Sequence, residues 1–107
     1  MLWYSYYKSL PKEHRYTLGQ KVDNLLAEII EVVASAAFLP PAEKAPYLKI
    51  AIRKTDAVKI FVMLLWETKS IDNKKYLSLA DKLNEIGRML GGWLGQLLKN
   101  TSQSNLK

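Results

Sequence analysis

Side chains able to carry out chemistry are scarce in this chain, which has no cysteine and a single histidine, His14. Thiolate nucleophiles, disulfides and cysteine-based zinc sites are thereby excluded. His14 lies in the basic stretch Pro11-Lys12-Glu13-His14-Arg15-Tyr16. Contact with phosphate or solvent suits it better than proton transfer, because a general base needs an orienting partner and a pocket. Asp81 and Glu85, four apart, could form a carboxylate pair for acid–base work or a divalent metal. No Glu-x-x-His motif accompanies them, and Glu85 with Arg88 reads instead as an ion pair on a helix surface. Gly91-Gly92 falls inside an apolar stretch rather than between a strand and a helix with a lysine following, so it is no phosphate loop. No catalytic residue, metal or cofactor is expected, and the chain reads as a non-enzymatic protein.

The basic residues say more by arrangement than by number. Sixteen Lys and Arg against ten Asp and Glu leave a formal charge of +6, which fits an anionic partner and fits ordinary solubility equally well. Lys8, Lys12, Arg15 and Lys21 surround the first basic stretch, and Lys49, Arg53, Lys54 and Lys59 follow one another with Asp56 as the only acid among them. Arg15, Lys21, Lys49, Arg53 and Lys59 are the candidate phosphate contacts. Lys54 falls nearer the apolar side of its helix, so it either snorkels or points into a subunit junction.

Gly87, Gly91, Gly92 and Gly95 interrupt what is otherwise a strong helical pattern. Each interior glycine costs a helix roughly 0.8–1 kcal/mol against alanine, on the order of 3–4 kcal/mol for the set. That is a sizeable share of a small domain's stability, about 5–15 kcal/mol. Gly87, Gly91 and Gly95 line one ridge beside an apolar stripe of Leu83, Ile86, Leu90, Trp93 and Leu97. A ridge without side chains admits a close backbone, from a helix of the same bundle or of another copy. Gly87, Gly91, Gly95 and Trp93 are therefore the candidate packing or assembly residues.

These residues need helices to hold them. Trp3, Tyr7 and Leu10 share a face of a short first helix over 1–10, which Pro11 ends. Thr17-Leu18-Gly19-Gln20 has the form of a capping box and predicts a second helix starting near Thr17. Its apolar positions Leu18, Val22, Leu25, Ile29, Val32 and Ala36 alternate steps of four and three as far as about Phe38. After Pro40-Pro41, Pro46 fits the first turn of a third helix, whose apolar face takes Ile50, Ala57, Val58, Phe61, Leu64 and Leu65. Asp72 or Asn73 caps a fourth helix over about 74–98. Residues 1–99 thus form one domain, an all-α, antiparallel up-down-up-down four-helix bundle, and the polar residues 100–107 read as a mobile tail. The shortness of the first helix leaves apolar surface of helices two and four uncovered, which favours self-association. The longest apolar run, residues 60–66, falls far short of the ~20 residues of a membrane span, and the N-terminus lacks the pattern of a signal peptide, so a cytoplasmic location is expected.

The segments Glu85-Ile86-Gly87-Arg88-Met89-Leu90-Gly91-Gly92-Trp93 and Pro11-Lys12-Glu13-His14-Arg15-Tyr16-Thr17-Leu18-Gly19 resemble the two signature stretches of the family that includes the accessory variability determinant of diversity-generating retroelements. The likeness spans about residues 1–98. Small bundles encoded within ribosomal RNA intervening sequences are similar in fold. The resemblance implies a pentameric barrel of four-helix protomers with a positive surface. It also implies binding to the element's reverse transcriptase and to its template RNA or DNA during mutagenic copying, with no enzymatic activity. Lys59 matches one basic position of the family's third helix, whereas Met63 stands where another is often basic. A second reading, drawn from the intervening-sequence relatives, is a structural interaction module whose partner is protein alone.

Overall fold

A computed structural model describes the backbone of residues 2–105 and the side chains of 2–13 and 17–100. Met1, Leu106 and Lys107 lie outside the described residues. Every regular element among them is helical: α1 (Leu2–Lys8), α2 (Lys12–His14), a π-helical segment (Arg15–Gly19), α3 (Gln20–Ala37), α4 (Pro41–Glu67) and α5 (Asn73–Asn105). Because α2, the π segment and α3 follow one another without a break, the chain makes four helical rods.

The first rod forms as its residues predict. Trp3 and Leu10 are buried, and the Trp3 and Tyr7 rings meet edge to face at 6.0 Å. The second rod begins earlier than expected. Thr17 is not a cap: its hydroxyl donates to the Glu13 carbonyl at 3.0 Å, and Gly19 already has helical dihedrals. Pro11 is the physical stop, so the helix starts at Lys12 directly after it. A threonine that bonds back to the preceding turn is compatible with a helix interior, which a capping threonine is not. Further along, Val22, Leu25, Ile29 and Ala36 are buried, in accord with the predicted spacing.

Pro41, not Pro46, opens α4. Pro46 lies inside the helix, where its missing N–H would have served the carbonyl of the exposed Ala42. The buried line of α4 is Leu48, Ala51, Thr55, Val58, Val62 and Leu65, while Ile50 is 38% exposed. Val58 and Leu65 fall on this line as predicted, and Ala57 and Phe61 pack beside it, because α4 packs against α3 on one flank and α5 on the other. A helix buried on two sides carries a wide apolar arc, which blurs its periodicity.

Asp72 caps α5 by accepting the Lys75 backbone N–H at 2.8 Å. Leu83, Leu90 and Leu97, seven apart, are buried, Trp93 is half-buried and Ile86 is 38% exposed. The helix runs on to Asn105, past the Leu98 end read from the sequence.

The core has two parts. The larger joins Trp3, Leu10, Val22, Leu25, Ile29, Val58, Val62, Leu65, Ile71, Leu79 and Leu83; the smaller joins Ala36, Leu48, Ala51, Leu90 and Leu97. α3 and α5 both lie along α4 but hardly touch each other. A full-length fourth helix would fill the space between them. α1, at seven residues, covers only the end near Val22 and Leu83, and beyond Ile86 the groove is open.

Candidate nucleic-acid interface and assembly surfaces

The structure separates the candidate cations. Lys49 and Arg53 stand one turn apart on α4, exposed and without ion-pair partners among the described residues. Two guanidinium or ammonium groups so spaced can meet neighbouring phosphates. Lys21 is exposed at the start of α3. Lys59 lies on the α5 flank of α4, half-buried, with its ammonium 3.7 Å from Asp56. The side chains of His14, Arg15 and Tyr16 lie outside the described residues.

Lys54 reaches across to the neighbouring helix of its own protomer. Its ammonium bonds Glu28 of α3 at 2.8 Å, tying the two helices together. That hydrogen bond, then the positive charge of Lys54, hold the Glu28 carboxyl below the usual carboxylate range against the opposing effect of desolvation, with Lys21 adding a smaller pull downward. Glu85 pairs with Lys82 at 3.7 Å rather than with Arg88. Both geometries are one helical turn, and lysine's flexible stem reaches the carboxylate from the preceding turn. Among the described residues no three His, Asp or Glu side chains cluster to hold a metal.

The glycine ridge faces away from the protomer's own helices. A Cβ at Gly91, Gly92 or Gly95 would meet nothing within 4 Å. One at Gly87 would touch only the Lys59 ammonium, at 3.4 Å. The close neighbour that such a ridge admits is therefore not a helix of the same bundle. Trp93 lies off the ridge, half-buried on the smaller core cluster with the Lys44 ammonium 5.5 Å over its ring.

One surface was only partly legible in the sequence. Ile29, Ile30, Val33 and Ala34 of α3 face Ile86, Met89 and Leu90 of α5 across an open apolar groove of about 420 Å³. Ile30 and Met89 are 61% and 68% exposed, although both are large apolar residues. The signal was partial: both fall off the buried stripe of their helices. No described helix is long and apolar enough to cross a membrane.

No curated protein and no solved structure matches this chain. A family model does: the bAvd-like family matches residues 1–97, which takes in α1 through most of α5, both signature stretches and the whole glycine ridge. Helical architecture, extent of the match and signature residues agree, and the chain belongs to the bAvd-like family, as a protein of the accessory variability determinant type found with diversity-generating retroelements.

Proposed function

We propose that this protein is a non-catalytic accessory subunit of a diversity-generating retroelement, acting in the cytoplasm, that binds the reverse transcriptase and template RNA or DNA during mutagenic copying. The observation that carries the reading is family membership over residues 1–97. The arrangement of the chain supports it. Lys54–Glu28 and Lys44–Ala37 contacts are those of antiparallel neighbours, and an antiparallel protomer can repeat around an axis as a pentameric barrel. The uncovered groove and the bare ridge are surfaces that other copies would bury, and assembly would gather Lys49 and Arg53 from each copy into a ring. Arg15, Lys21 and Lys59 complete the proposed phosphate contacts.

Nucleic-acid affinity that rests on phosphate neutralisation falls with salt, with a log–log slope near −0.9 per phosphate contacted on duplex. Titration of duplex and single-stranded RNA and DNA at two salt concentrations tests the reading. Steep salt dependence, reduced by about one unit for each contacted cation removed in Lys49→Ala and Arg53→Ala, is expected. Absence of binding at low salt would leave the protein-only interaction module, which the apolar groove favours.

A further inference from the structure

At the end of the bundle where α4 turns into α5, an aromatic surface is held rigid beside a group of lysines. The Trp66 and Tyr76 rings stack at 4.7 Å, inclined by 15°, and the Trp66 indole N–H donates to Asn73 Oδ1 at 2.6 Å. One ring face is covered by Tyr76 and the in-plane edge is pinned. Trp66 nevertheless remains 37% exposed and borders an open cavity with Glu67, Lys69, Ile71, Asp72 and Asn73.

The turn itself is strained in favour of a lysine. Lys69 has φ 61°, the left-handed conformation, after the last turn of α4. Its N–H bonds the Trp66 carbonyl at 2.9 Å and that of Ser70 bonds the Leu65 carbonyl at 2.8 Å, the two bonds of a Schellman motif. Glycine is the usual residue there because it carries no steric penalty. A lysine in that place exchanges stability for a cation at the rim of the cavity, a combination found where strain serves a site. Lys74 is exposed nearby, and Lys75 donates to Ser9 Oγ at 3.2 Å. The acids are Glu67 and Asp72, the latter engaged as the cap of α5.

We infer that Trp66 is a stacking platform for an unpaired nucleobase, with Lys69 and Lys74 placed for the flanking phosphates. The inference deepens the nucleic-acid-binding reading above and rests on it. The ligand class follows from the geometry: a fixed indole face binds a flat π-system, which a duplex keeps inside its own stack and a single strand presents. Because Glu67 and Asp72 offset much of the lysine charge, stacking rather than phosphate neutralisation dominates at this spot, and its contribution persists as salt rises.

Fluorescence anisotropy with a labelled 12-nucleotide single strand and a duplex of equal length tests this at two salt concentrations. Trp66→Leu keeps the apolar packing and removes the platform; it is expected to weaken single-strand binding about 5- to 100-fold at both salts and duplex binding less than about twofold. Trp66→Phe should restore most of the loss. Lys69→Gly should raise the melting temperature while weakening the single strand. Equal losses on single strand and duplex, or none with Trp66→Leu while the wild-type protein binds, would overturn the platform alone. Failure of the wild-type protein to bind any nucleic acid at low salt would overturn this inference and the proposed function together.

Discussion

Among the described residues Thr55 is the one polar residue with a fully buried side chain, and its hydroxyl donates to the Ala51 carbonyl of its own helix at 2.8 Å. Nothing outside α4 depends on that bond. Thr55→Val leaves no orphaned group and is expected to alter stability by less than about 1 kcal/mol, whereas Thr55→Ser opens a methyl-sized void and costs about 1 kcal/mol, as urea melts would show. The Lys54–Glu28 pair behaves differently because one partner titrates. The folded-state pKa of Glu28 is lowered, so its contribution is complete above the unfolded carboxyl pKa, about 4.3, and disappears as pH falls through the folded value. The difference in melting temperature between wild type and Glu28→Gln should therefore hold above about pH 4.3 and shrink as pH falls further, through the lowered folded-state value. A difference that grows on acidification would contradict the pairing.

At the scale of elements, α5 holds four glycines in a helical interior with open space over three of them. Gly91→Ala and Gly95→Ala should each stabilise the protomer by roughly 0.5–1 kcal/mol, because alanine fits without contact and restricts the unfolded chain. Larger side chains separate the two purposes a bare ridge can have. A Cβ at Gly91 meets nothing within the protomer, so Gly91→Leu is expected to act on assembly rather than on the fold; light scattering should show a smaller particle, with helicity retained by circular dichroism. Undiminished particle mass would mean that copies do not meet along this ridge. Much of α5 was readable from spacing alone, since Leu83, Leu90 and Leu97 recur at a fixed interval and Asp72 is a strong cap. The entry of the second rod was not. Thr17 has the sequence of a capping residue, yet the stop at Pro11 allowed the helix to start upstream and left Thr17 on the exposed side of a continuing helix, bonded back to the Glu13 carbonyl.

As a whole the molecule is a rod of 57 × 21 × 19 Å whose central helix, α4, is flanked on both sides while the groove between its flanking helices is covered at one end only. The apolar residues left bare there are the direct outcome of a seven-residue α1 beside an α5 of 33 residues. Ile30→Lys and Met89→Glu place charge on that groove at positions that are exposed in the protomer, so stability should move by no more than about 0.5 kcal/mol. Sedimentation velocity should register dissociation of any assembly that uses the groove. A protomer that remains associated with both substitutions in place would exclude it as a contact between copies.

Read by itself, the order of residues determined that the protein is helical, where its buried stripes fall on α3 and α5, that no thiol chemistry is available, and which signature stretches tie it to its family. Those properties live in local periodicity and composition, which each segment carries alone. Tertiary structure decided which way the glycine ridge faces, that Lys54 belongs to Glu28, that Ile50 lies outside the buried row of α4, and that Trp66, Tyr76 and Asn73 converge at one turn. Each of these depends on what a neighbouring helix places opposite a side chain, and periodicity along one helix holds no information about the partner across the gap.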